Sequence, residues 1–268
     1  VLGVGWGSTQ SLGKMATATG YQPFGLIFWQ LCVCTVVLGA ISAIRRKGLV
    51  LTSEALTFYV IIAVIGTLIP NASFYAAVHH LPAGIMSIII STVPLIAFPM
   101  ALALGIDRFT VLRIAGLAMG LLGVGLIASQ GGALGAGLSD GALLGWLLLA
   151  LVGPFFYACE ATYVARAGTA GMDAVQAMFG ASVVGLVLAL PLALGSGQWV
   201  TPDFPFQRPE WALVIASSVH ALVYASYVWL AGRAGSVFAS QSAYLVTLSG
   251  VFWAMALLGE RFSPVVWG

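Results

Sequence analysis

Charge is what this sequence has least of. Of its 268 residues only 7% are Asp, Glu, Lys or Arg, against 60% that are hydrophobic, and the mean hydropathy is +1.05. A water-soluble domain carries roughly 25% charged residues, so a soluble globular fold is excluded. The few charges nearly cancel, at a net +2 with no basic run beyond Arg45-Arg46-Lys47, which excludes nucleic acid as a partner. Cysteine is equally sparse. Cys32 and Cys34 lie two apart, on different faces of a helix, and Cys159 is remote, so neither disulfide nor zinc spacing is present. No HExxH pattern accompanies the histidines, and neither a GxSxG elbow nor paired intramembrane acids occurs; no metal, no cofactor and no catalytic residue is expected, and the chain reads as a non-enzyme. It opens without Met inside an apolar segment and shows no cleavable signal, so both ends are expected to be trimmed.

What fills the chain instead is a series of apolar runs, each near the roughly 20 residues that cross a bilayer as a helix. The runs predict spans over Val1–Thr19, Pro23–Ile44, Ala55–His79, Ala83–Gly105 and Val111–Ser129, then Gly141–Ala165, Asp173–Leu194, Trp211–Ala231 and Ser236–Leu258. The 33 glycines fit helices that pack closely in lipid, and Gly116-Leu-Ala-Met-Gly120 has that spacing. With the first residue facing the cytoplasm, Arg45, Arg46, Lys47, Arg108, Arg113, Arg166 and Arg233 fall on inner turns, while only Arg208 and Arg261 fall outside. This bias puts both termini in the cytoplasm. The longest loop, Gly195–Pro209, carries Trp199, Phe204 and Phe206 and reads as an interfacial anchor.

One sentence of this hydrophobic text is written twice. Pro94-Leu-Ile-Ala-Phe-Pro-Met-Ala-Leu-Ala-Leu-Gly105-Ile106-Asp107-Arg108-Phe109 is matched by Thr247-Leu-Ser-Gly-Val-Phe-Trp-Ala-Met-Ala-Leu-Leu258-Gly259-Glu260-Arg261-Phe262, and each follows a span with a central tyrosine, Tyr75 or Tyr224. The first copy continues into a further span; the second reaches Pro264 and then the last residue, Gly268, so a tenth span is expected, largely cut off. The fold class that follows is an all-α integral membrane protein of two five-helix repeats, residues 1–129 and 141–268. Five is odd, so the second repeat enters the membrane inverted relative to the first, the arrangement that gives a carrier two equivalent gates.

Polar groups inside spans mark cavities or helix contacts. Asn71, Tyr75 and His79 step by four along the third span, and His220, Tyr224 and Tyr227 lie at i, i+4 and i+7 on a comparable face of the eighth; Trp6, Gln10 and Lys14 step by four along the first. Tyr157 and Glu160 lie in the sixth, Ser240, Gln241 and Tyr244 in the ninth. The expected substrate-binding set is Trp6, Gln10, Asn71, Tyr75, His79, Tyr157, Tyr224, Ser240, Gln241 and Tyr244. The same residue types also serve as interface anchors and as hydrogen-bonding glue between helices. Glu160 is the one acid well inside a span and is expected to carry a proton or meet a substrate amine; Lys14 is expected to pair with it, to meet a substrate carboxylate or to snorkel to the outer interface.

Trp6-Gly7-Ser8 with Gly13-Lys14, and the two copies ending at Asp107 and Glu260, resemble the drug/metabolite transporter superfamily in its ten-helix EamA-type form. Gln30, where many members carry Arg, and Thr247, where the repeat usually has Pro, depart from it. Gly235-Ser-Val-Phe-Ala-Ser-Gln-Ser-Ala-Tyr244 is similar to the ninth helix of exporters of the YddG type. The resemblance implies export of amino acids, aromatic and other neutral ones, and related metabolites by alternating access, in a bacterial inner membrane, by a monomer or weak homodimer. The alternatives are a nucleotide-sugar or other metabolite carrier of the same superfamily and, after it, an intramembrane enzyme; the nucleotide-sugar carrier is the first of them. It would call for several basic cavity residues, of which Lys14 alone qualifies.

Overall fold

A computed structural model describes residues 1–106, 115, 118, 119 and 141–261. Every regular element among the described residues is helical. The helices are α1 (Leu2–Ala16), α2 (Pro23–Ile44), α3 (Ser53–His80), α4 (Ala83–Ala103), α5 (Gly141–Ala167), α6 (Ala174–Gly195), α7 (Arg208–Ala234) and α8 (Val237–Leu258). Seven of these, all but the 15-residue α1, are long and apolar enough to cross a membrane. The expected span Val111–Ser129 lies outside the described residues except at positions 115, 118 and 119, and Asp107, Arg108 and the segment from Phe262 on lie outside them altogether.

Helix ends follow local chemistry. Thr52 caps α3 by accepting from the Ala55 N–H at 3.2 Å, and Asp173 opens α6 with a capping box shared with Gln176. A second box between Gln207 and Glu210, followed by Pro209, starts α7 at Arg208, three residues earlier than the apolar run indicated. Three spans are interrupted. Pro70 has no N–H to give the carbonyl four residues back, which belongs to Gly66, and the backbone of Ile62–Leu68 relaxes into a π-helical stretch within α3. α4 is stepped at Ser91–Thr92, and α8 at Gln241. Pro154 and Pro191 sit inside continuous helices.

Packing follows a regular scheme. α1 packs against α7 and α8, and α5 against α3 and α4; α2 packs against α6 and α7, and α6 against α3. Replacing each helix of the first half by its counterpart in the second reproduces this pattern. Directions are fixed by paired contacts. Gly3 meets Leu245 while Leu12 clusters near Leu257, so α1 and α8 are parallel; Gly5 meets Val219 and Val223 while Leu12 meets Ala212 and Ala216, so α1 and α7 are antiparallel. Lys14 reaches the end of α3, so α1 and α3 run together, whereas Gly153 faces Pro70 and Phe58 faces Tyr163, which makes α5 antiparallel to α3 and hence to α1. α1 and α8 approach closely at Gly7 and Gly250, where a Cβ on Gly7 would overlap the Ser249 hydroxyl and come within 2.8 Å of the Gly250 nitrogen.

The perimeter is apolar: Val36, Ile44, Val187 and Phe252 are more than half exposed, and a bilayer is the environment that buries them. Arg45, Arg46, Lys47, Arg166 and Arg233 gather at one end of the bundle and Arg208 and Arg261 at the other. At the richer end Asp173 joins α6 to α2 through Arg45 (3.1 Å) and Lys47 (2.7 Å). Partial burial opposes ionisation of Asp173, but Lys47, the Gln176 N–H and Arg45 outweigh it and hold the carboxyl below its usual value. At the other end the Trp29 indole donates to the Val200 carbonyl at 2.8 Å beneath the loop. Here Tyr21, outside the helices, donates to Glu210 at 2.5 Å, and this bond, helped by burial, pushes the phenol up to about 12.

Candidate functional site

Between α1 and α8 on one side and α3, α4 and α5 on the other lies a cavity whose empty space is about 870 Å³, including the part open to its surroundings. Both halves of the chain wall it. α1 supplies Trp6, Thr9 and Gln10; α2 supplies Gln30; α3 supplies Pro70, Asn71, Phe74 and Tyr75. From the second half come Gly153, Pro154 and Tyr157 of α5, His220 and Tyr227 of α7, and Ser240 and Ser242 of α8. All three helix interruptions lie at this wall: Pro70 follows the π-helical stretch, Ile90 and Val93 flank the step in α4, and Ser240 and Ser242 flank the step in α8.

Trp6 is the centre of the aromatic side. Its ring meets Tyr227 at 5.3 Å and Tyr157 at 6.0 Å edge-on, and His220 and Tyr224 each at 6.1 Å. Edge-to-face contacts of this kind fix ring orientation as well as adding contact energy. The polar side is neutral: no Lys, Arg, Asp or Glu is among the described lining residues. Four buried atoms there have no hydrogen-bond partner among the described residues: Gln10 Oε1, Asn71 Nδ2, His220 Nε2 and the Tyr227 hydroxyl. Buried polar groups are almost always paired, so this cluster has acceptor and donor capacity left for a molecule in the cavity.

Of the expected binding residues, Trp6, Gln10, Asn71, Tyr75, Tyr157 and Ser240 line the cavity. Tyr75 is held there by donating to Gln30 Oε1 at 2.8 Å, and the Ser240 hydroxyl is turned back to the Val237 carbonyl at 2.9 Å. His79 is not in the wall. It is exposed at the end of α3 with its ring 4.9 Å from His80, which itself stacks on Trp146 at 3.9 Å. Gln241 sits at the step of α8, and neither it nor Tyr244 is among the lining residues. Tyr224 lies one layer behind the wall. At about 100° per residue it is rotated about 40° from His220, enough to turn its hydroxyl toward α5.

There Tyr224 donates to Glu160, which is fully buried and whose second oxygen has no partner among the described residues. The pair sits over Gly66 in the π-helical stretch: a Cβ on Gly66 would overlap the Tyr224 hydroxyl and come within 2.9 Å of the Glu160 carboxyl carbon. Lys14 does not pair with Glu160. Its ammonium donates to the Val78 carbonyl at 3.1 Å and to the Leu81 carbonyl at 2.5 Å, the open end of α3. His220, Tyr227 and Gln30 are wall residues outside the expected set. The stepping of His220 and Tyr227 with Tyr224 was visible in the sequence, and Gln30 stood out as a departure from Arg, but neither signal says which way a side chain faces.

No curated protein matches the chain in sequence. Residues 1–129 match the EamA-like transporter family, so the first half of this multi-pass membrane protein is similar to membrane transporters of the drug/metabolite transporter superfamily.

Proposed function

We propose that the protein carries amino acids, aromatic and other neutral ones, and related small metabolites out of the cell by alternating access through the central cavity. The observation that carries this reading is the wall itself: aromatic rings around Trp6 opposite buried, unpartnered and uncharged hydrogen-bonding groups drawn from both halves. An aromatic face offers area to an apolar or aromatic side chain, and Gln10 with Asn71 and His220 offers an acceptor and donors to an ammonium and a carboxylate. The directions of the helices support two inverted repeats, since α1 runs opposite to α5 and the contacts between the halves keep the same pattern when each helix is exchanged for its counterpart. Glu160 is the group that binds and releases the coupling proton, because an intramembrane carboxyl beside the cavity wall, with one oxygen unpartnered among the described residues, is suited to it. A bacterial inner membrane with both termini inside agrees with five basic residues at one end of the bundle against Lys14, Arg208 and Arg261 at the other.

A nucleotide sugar is the alternative substrate, and the absence of any cation from the described wall disfavours it. The test is flux into liposomes holding the full-length protein, with labelled Phe, Trp, Thr and a nucleotide sugar in parallel at two pH values. Saturable amino-acid flux that is lost in Tyr75→Ala and reduced in Trp6→Ala is the expected result. Flux of the sugar nucleotide alone, or of nothing, overturns the substrate class. Unchanged pH dependence in Glu160→Gln overturns the coupling role.

A further inference from the structure

The turn between α3 and α4 is two residues long, Leu81–Pro82, and it lies inside the protein at the end of the bundle that holds the Gly195–Pro209 loop. Its backbone needs help from elsewhere. Pro82 at the start of α4 has no side-chain oxygen to cap the Ala83 and Gly84 N–H groups, and the end of α3 leaves carbonyls open toward Lys14. Glu260, just past the end of α8, supplies the first need: Oε1 accepts from the Ala83 N–H at 2.8 Å and Oε2 from the Gly84 N–H at 3.0 Å. Lys14, near the end of α1, supplies the second by donating to the Val78 and Leu81 carbonyls. The carboxylate meets the positive end of one helix and the ammonium the negative end of another, so both contacts follow the helix dipoles.

α1 and α8 run parallel and in contact at Gly7 and Gly250, so Lys14 and Glu260 reach the turn from neighbouring helix ends. Met86, one turn into α4, is a cavity-wall residue and is only 3% exposed. We propose that Lys14 and Glu260 form a two-sided charge clamp on the Leu81–Pro82 turn that closes the cavity at its outer end, and that the clamp must release for the cavity to empty on that side. The inference rests on the transporter reading and adds to it the position of one gate and the residues that hold it shut. It also accounts for the acid that closes the second copy of the repeated sequence, which the cavity itself does not use. Each contact is a charge-assisted hydrogen bond to backbone, the stronger class of such bonds, yet each is made by a side chain and can be broken without disturbing a helix.

The experiment is labelling, with no substrate present. The full-length protein, with Cys32, Cys34 and Cys159 replaced by Ala and Met86→Cys as reporter, is placed in liposomes and exposed from the outer side to a membrane-impermeant maleimide. With the clamp intact, labelling is slow. Glu260→Gln and Lys14→Met are each expected to raise the rate at least tenfold, Lys14→Arg to leave it near the starting value, and Asp173→Asn, at the opposite end, to leave it unchanged. Unchanged rates in both Glu260→Gln and Lys14→Met overturn the clamp, as does an equal rise in Asp173→Asn, which would mark general loosening. Should Glu260→Gln fail to reach the membrane, Lys14→Met decides, since it removes only the contact from α1. A protein that moves no amino acid but shows the expected acceleration keeps the clamp and loses the substrate class, so the two readings fail separately.

Discussion

Tyr75 on α3 and Tyr224 on α7 are both 5% exposed, yet they have different partners. Tyr75 donates to the neutral amide of Gln30 on α2 and stays in the cavity wall; Tyr224 donates to the carboxyl of Glu160 on α5 and lies behind the wall. The two tyrosines are alike in burial but not in the chemistry that receives the hydroxyl. An amide accepts the same bond at any pH, whereas a carboxyl changes what it can accept when it takes up a proton. The first tyrosine therefore shapes a binding surface, and in our reading the second reports protonation. Gly66 belongs to the second pair alone, since only its missing Cβ lets the Tyr224 hydroxyl and the carboxyl lie against α3.

The comparison is broken most strongly by filling that space. Gly66→Val drives a branched side chain into the Tyr224–Glu160 pair and is expected to cost at least about 3 kcal/mol, the upper end for overpacking, read as a lowered unfolding temperature in detergent together with loss of flux. Tyr224→Phe follows: it leaves a buried carboxyl without its partner, for a loss of about 1–3 kcal/mol. Tyr75→Phe is expected to cost less, about 0.5–1.5 kcal/mol, because Gln30 faces the cavity, where water or substrate can replace the lost donor. Equal destabilisation by the two substitutions would erase the distinction. Gln30→Glu sharpens it from the other side, giving Tyr75 a carboxyl partner; the expected outcome is a new pH dependence of flux with little change in stability.

Asp173 sets the lower end of the scale. Asp173→Asn removes partly exposed ion pairs with Arg45 and Lys47 and is expected to cost about 0.2–1 kcal/mol. The Asp173 carboxyl is held below its usual value in the folded protein, so its contribution is complete at pH values above about 4 and is lost as pH falls through the lowered folded value. A melt followed from neutral to acidic pH, with Asp173→Asn flatter than the parent over that interval, checks the sign.

Much of this was legible before any coordinates. The apolar runs marked α2, α4 and α6 to within a few residues at each end, because a bilayer demands length and hydrophobicity and little else. Polar steps along α1, α3 and α5 pointed to Trp6, Gln10, Asn71, Tyr75 and Tyr157. His79 lies outside the wall for a physical reason: one more turn beyond Tyr75, along the face it shares with Asn71, carries it to the exposed end of α3. Lys14 had three readings open, and a fourth, the carbonyls ending α3, is where its ammonium lies. No periodicity announces that, since the partner is backbone more than 60 residues away.

The sequence by itself determined the solvent and the secondary structure. A chain with this little charge must satisfy its backbone within helices, and its prolines and capping residues mark where those helices start and bend. Only the tertiary structure decided which polar group meets which: that Glu160 faces Tyr224 over a π-helical turn, that Gln30 holds Tyr75, and that Lys14 and Glu260 converge on one turn. Helix periodicity restricts a side chain to one face, but its partner depends on how neighbouring helices are rotated and how far they slide past one another. Those quantities are set by close contacts such as Gly7 against Gly250, between residues more than 200 positions apart in the chain.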